Sequence, residues 1–156
     1  RNDRPIIGFY GVNHEGSGDM YNKGAGMLHH IRTMINNDSL FREILQGLNK
    51  DFYHKTVDTK DIEDYFIRKT SLPLPPVFNQ YLRSTKIPIF EYTYNQGKIR
   101  YRFTNCDKDF TMPVRLGDKE STQIVCNTEW NQIELAEITA IESISDNYYF
   151  TKKKVE

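Results

Sequence analysis

The chain has 156 residues, enough for one compact domain or for two small ones sharing a boundary. Its 21 basic and 21 acidic side chains cancel, so neither nucleic acid nor an anionic membrane surface is favoured as an electrostatic partner. No apolar run approaches the roughly 18 residues of a transmembrane helix, the start lacks a signal-peptide pattern, and an aromatic content of 13% suits a globular chain able to fill a strand-built core.

Residues 1–18 hold four of the nine glycines and no sustained period, which predicts irregular structure. From Met20 the apolar positions Gly24, Met27, Leu28, Ile31, Met34 and Ile35 step by three and four along one helical face. Asn36-Asn37 ends that helix, and Asp38 is the expected N-cap of the next. A second helix is predicted from Ser39 to Tyr53, with Leu40, Phe41, Ile44, Leu45, Leu48 and Phe52 on one side. A third is expected to be capped by Thr59. Asp61, Glu63 and Asp64 sit near its positive end, Arg68 and Lys69 near its negative end, and Ile62, Tyr65 and Phe66 form its buried face. The "LPLPP" run interrupts the pattern, and Pro75 or Pro76 can open a short fourth helix through "VFNQYLR".

After Ser84 the period changes from 3.6 to 2. "PIFEYTYNQGKIRYRFTN" reads as a hairpin about Asn95-Gln96-Gly97. Phe90, Tyr92 and Tyr94 share one face of its first strand. Ile99, Tyr101 and Phe103 share one on the second, against Lys98, Arg100 and Arg102. Further strands are expected at "FTMPVRL", "STQIVCN", "NQIELA" and "NYYFTKKKV", the last ending in an exposed lysine run. The pattern places a boundary at Ser84 to Pro88, between an α-helical segment and a small antiparallel sheet or sandwich.

The chemistry-bearing residues are sparse. The histidines are His14, His29, His30 and His54. His29 and His30 are adjacent, so they point about 100° apart on a helix and cannot both face one metal; surface or boundary positions are the expected ones. No HExxH, CxxC or GxSxG is present. "GVNHEGSG" is glycine-rich but follows no strand of a βαβ unit and lacks a P-loop lysine. Cys106 and Cys126 could pair in an oxidising compartment or sit as small buried apolar residues, the second reading being slightly favoured. The chain opens on Arg1 rather than Met, as expected of a processed product or a piece of a longer protein. Taken alone, Tyr21 reads as an aromatic at a helix start.

Its context changes that reading. "YNKG" (Tyr21 to Gly24) is followed by "LHHIR", a second helix with Phe-x-x-Lys, and an acidic helix that ends in an aromatic. This ordered set resembles the aminopeptidase N-like zinc metallopeptidases, gluzincins that include leukotriene A4 hydrolase, in the stretch just downstream of their zinc ligands. "RPIIGFYGVNHEGSGDMY" fits the family's linker into that helix, and the part after Ser84 fits, by position, the small β-sandwich that follows its catalytic domain.

The fold class implied is α+β: an α-helical segment over 1–84, the second half of a thermolysin-like catalytic domain, followed by a small antiparallel β-sandwich over 85–156. By motif match, Tyr21 would donate its hydroxyl hydrogen to the oxyanion of a tetrahedral intermediate, a charge that develops only along the reaction. Lys23 and Gly24 would be structural, Gly24 letting the helix start pack closely on a neighbour. The family's HExxH helix, third carboxylate ligand and amine-binding segment lie upstream and are absent. The expectation is therefore a fragment that is inactive alone, with no metal in this chain, zinc in the intact parent, a peptide as the parent's substrate, and self-association through the truncated helical face. The alternatives are a non-catalytic protein- or glycan-binding module and a homologue that has lost its zinc.

Overall fold

A computed structural model describes residues 2–10, 14, 16–116, 122–134 and 148–156. Four helices come first: α1 (Met20–Ile35), α2 (Asp38–Asp51), α3 (Thr59–Thr70) and α4 (Pro75–Arg83). Six strands follow: β1 (Ile89–Asn95), β2 (Lys98–Thr104), β3 (Met112–Leu116), β4 (Thr122–Cys126), β5 (Asn131–Glu134) and β6 (Thr151–Lys154). The fold class is α+β, as expected.

The helix ends show which side chains set them. α1 stops where Asn36 turns into the left-handed region, at φ 49°, and its N–H bonds back to the Arg32 carbonyl at 3.0 Å. The next N-cap is Asn37 rather than Asp38. Asn37 has the extended backbone that a cap needs and accepts the Leu40 N–H at 3.0 Å, while the Asp38 carboxylate is already in the first turn, 2.7 Å from Arg32. α3 is likewise capped one residue before the expected Thr59. Asp58 accepts the Asp61 N–H at 3.1 Å, and the Asp61 side chain accepts the Asp58 N–H at 3.0 Å, a reciprocal capping box. Pro75 opens α4, where its missing N–H costs nothing.

The buried face of α1 is Lys23, Met27, His30, Ile31 and Met34. It is rotated from the expected stripe: Leu28 is exposed and Ile35 only half-buried. On α2, Ile44 is fully buried, whereas Leu45 faces solvent.

The hairpin closes through Gln96 and Gly97, both with positive φ (47° and 74°), the geometry that matches the right-handed twist of paired strands. Its register sets Phe90 opposite Phe103, Tyr92 opposite Tyr101 and Tyr94 opposite Ile99, so the predicted aromatic faces coincide. The larger sheet has the order β5-β2-β1-β6, and β3 pairs with β4 in a second sheet of two strands. One expectation changes here: β6 runs parallel to β1, so the larger sheet is mixed rather than antiparallel. Residues 148–150 pack against α1 and α4 before the chain enters β6, which sets the direction in which it meets β1. The two sheets meet where the Phe103 N–H donates to the Asn127 carbonyl at 2.7 Å. Their inner faces and the helices contribute to one apolar cluster, from Ile31 and Ile44 through Tyr81 to Phe90, Phe103, Phe110 and Met112.

Candidate functional site

The start of α1 carries the residues singled out by sequence. Two helical positions subtend about 200°, so Tyr21 and Lys23 lie on opposite sides. Lys23 is completely buried; its Nζ donates to Asn2 Oδ1 at 3.2 Å and to the Ser84 carbonyl. Asn2 Nδ2 in turn donates to the Thr85 carbonyl at 2.6 Å. The ammonium thus ties three places together: the N-terminal segment, α1, and the link from α4 to β1. Burial lowers the Lys23 pKa, the charge of Asp19 opposing it. Tyr21 projects the other way. Its side chain is 75% exposed, and its hydroxyl makes no hydrogen bond among the described residues.

Gly24 does not act as expected. A Cβ built there would meet nothing within 4 Å. The close approach belongs to Gly26 instead, where a Cβ would lie 2.8 Å from Tyr149 Cδ2.

His29 is exposed, but His30 is fully buried, against the expectation of surface or boundary histidines. It lies in a ring cage, with centroids 5.1 Å from Tyr81, 5.0 Å from Tyr148 and 6.1 Å from Phe150. Its Nε2 accepts the Tyr149 N–H, which assigns the ring proton to Nδ1. Burial, with the neighbouring His29 adding to it, pushes the His30 pKa down to about 3. A neutral imidazole whose Nε2 is occupied by a backbone donor is an anchor for residues 148–150, not a metal ligand. The sequence held one sign of this: His30 lies within the 23, 27, 31, 34 stripe.

Cys106 and Cys126 are both free thiols, half-buried and buried respectively. Burial raises both pKa values, that of Cys106 to about 11. The small-apolar reading therefore holds for Cys126. Among the described residues no group of three or more His, Cys, Asp or Glu side chains is placed to hold a metal ion.

A cleft of about 390 Å³ opens elsewhere, between α4 and the loop before β3. Pro75, Pro76 and Phe110 form its apolar lining, and Asn79, Arg83, Asp107 and Asp109 its polar lining. Gln80 braces its back, donating to the Lys86 carbonyl and accepting the Asp107 N–H, each at 2.8 Å. Tyr21 does not line it. Sequence analysis also gave no sign of the cross-strand network on the outer face of the sheet. There Arg102 donates to Glu91 Oε2 at 2.9 and 3.0 Å, and Lys153 approaches Glu91 Oε1 at 3.5 Å. Burial alone would raise the Glu91 pKa; the hydrogen bonds and charges of Arg102, with Lys153, outweigh it and hold the carboxyl below its ordinary range.

No family model matches the sequence, and no curated protein matches it. Among solved structures the chain is similar to Legionella pneumophila aminopeptidase A, determined in complex with aspartic acid. The TM-score is 0.67 at 13% identity, over 90% of this chain and 18% of that one. At that identity the likeness is one of fold. The chain spans less than a fifth of the aminopeptidase's length.

Proposed function

We propose that this chain is a segment of a zinc-dependent, aminopeptidase N-like metallopeptidase. Residues 1–84 would be the helical part of its catalytic domain and 85–156 the β domain that follows. The observation that carries the reading is the fold match of nearly the whole chain to a small part of an aminopeptidase. The Tyr-Asn-Lys-Gly start of α1 supports the finer assignment. So does the exposure of the Tyr21 phenol, on a helix whose opposite side is pinned by Lys23.

In this reading Tyr21 does the chemistry that belongs to this chain. A phenol is a neutral donor at pH 7, and its hydrogen bond strengthens as the peptide carbonyl becomes an oxyanion. Lys23 and Gly26 are positioning residues that set where α1 begins and how closely it approaches Tyr149. Zinc belongs to the intact parent, with its ligands on elements outside this chain. The chain alone hydrolyses nothing, and its exposed helical face, which includes Leu28 and Leu45, drives self-association.

The test has two parts. The coding sequence upstream of Arg1 should contain HExxH and a further Glu; a stop codon or a different domain there would favour a free-standing binding module. In the longer protein, Tyr21→Phe should lower kcat for an aminoacyl anilide about a hundred- to thousandfold with little change in KM. Tyr53→Phe, a similarly exposed phenol just beyond the C-terminal end of α2, serves as the control. Retention of more than about a third of kcat by Tyr21→Phe would remove Tyr21 from the catalytic machinery.

A further inference from the structure

The solvent face of the larger sheet carries an ordered set of charges around one aromatic ring. On β2, Lys98, Arg100 and Arg102 alternate with the buried Ile99, Tyr101 and Phe103. Arg102 lies opposite Glu91 on β1, and Glu91 opposite Lys153 on β6. Trp130 stands just before β5, 36% exposed. The guanidinium carbons of Arg102 and Arg100 lie 4.5 and 5.2 Å from its ring centroid.

The charges on this face are unequally satisfied. Glu91 is almost fully buried, with its oxygens shared between Arg102 and Lys153. Glu134 stands opposite Lys98. Arg100 is exposed and has no carboxylate partner among the described residues; what it touches is the indole. A guanidinium held against an indole keeps its in-plane N–H donors available and has less rotamer freedom to lose on binding.

We propose that this face binds a carboxylate-bearing peptide segment, with Arg100 gripping a Glu or Asp side chain and Trp130 as the apolar platform beside it. Arg matches a carboxylate with two parallel hydrogen bonds, and Trp and Arg are the residues that most often dominate binding energy at interfaces. The interspersed negative groups choose the occupant. A continuous phosphodiester backbone would meet the exposed Glu134 as well as the cations. A peptide can place its acids against Arg100 and Lys98 and leave neutral side chains elsewhere.

Trp130 is the only tryptophan in the chain, so its emission reports on this face alone. The experiment titrates the whole chain with a short end-blocked peptide of alternating Glu and Thr at low salt. The expected result is a saturable change in Trp130 emission, weakening as salt is added. Arg100→Gln should weaken binding by about tenfold or more. Arg100→Lys, which keeps the charge and loses the fork, should weaken it less, and Lys60→Gln on exposed α3 should leave it unchanged. Circular dichroism establishes that each variant is folded. Absence of a saturable change overturns the proposal, as does equal weakening by Lys60→Gln. Arg100-dependent binding of an oligothymidylate more tightly than the peptide would make this a nucleic-acid site, and a change in Trp130 emission with protein concentration alone would give the face to a second copy; both refute a peptide site.

Discussion

Replacing His30 by Gln should reduce the stability that the chain loses between neutral pH and mild acid. The imidazole has an ordinary pKa of 6.5 and one of about 3 in the fold, because burial opposes its charged form. Below pH 6.5 the unfolded chain takes up a proton that the folded chain refuses until about pH 3. The unfolded state binds more protons throughout that window, so stability falls as pH falls. Each pH unit well inside the window costs about 1.4 kcal/mol, so acidification from neutral pH to about pH 5 removes roughly 2 kcal/mol through this one group. Gln can still offer an oxygen to the Tyr149 N–H but cannot titrate. It loses the ring contacts with Tyr81 and Tyr148, so the variant should start about 1–3 kcal/mol less stable at neutral pH. The assay is urea unfolding followed by far-UV circular dichroism at neutral pH and at about pH 5. The carboxyls held below their ordinary range, Glu91 and Asp38, act in the same direction at lower pH but are common to both proteins and cancel in the difference. If the two proteins lose stability equally, within about 0.5 kcal/mol, His30 is not a buried neutral imidazole and the anchoring argument fails.

Two neighbouring glycines should respond oppositely to alanine. Gly26→Ala forces a methyl against the Tyr149 ring and should cost about 1–3 kcal/mol in urea unfolding, whereas Gly24→Ala meets open space in a helix and should stabilise by up to about 1 kcal/mol; the same sign for both would contradict the packing of residues 148–150. Lys23→Met keeps the length of the side chain but leaves the Ser84 carbonyl and Asn2 without their donor, and should destabilise by about 1–3 kcal/mol in the same assay. An unchanged midpoint would mean that this junction is held by something else. Thiol titration without reductant should find two thiols per unfolded chain, with Cys126 unreactive in the native state; none on unfolding would mean a disulfide.

What could be read from sequence was what nearest neighbours decide. The asparagines after Ile35, the acid-to-base gradient of α3, Pro75 at a helix start and Gln96-Gly97 in a two-residue turn each act over one helical turn or one hairpin, so their effect is written locally. The period-2 alternation of β1 and β2 likewise put the aromatic pairs on one face, because a one-residue slip would turn that whole face to solvent. The Tyr-x-Lys-Gly start marked Tyr21 and Lys23 but could not say which was buried. That depended on Asn2 and Ser84, residues 21 and 61 positions away, converging on one ammonium. His30 read as a boundary residue because the rings that enclose it come from α4 and from the segment before β6. The parallel pairing of β6 with β1 and the contact of Arg100 with Trp130 also join residues distant in the chain. Local propensity carries no term for such contacts. Only the packing of α1, α4 and the sheet around one core decided which polar groups would be buried, and therefore which would need partners.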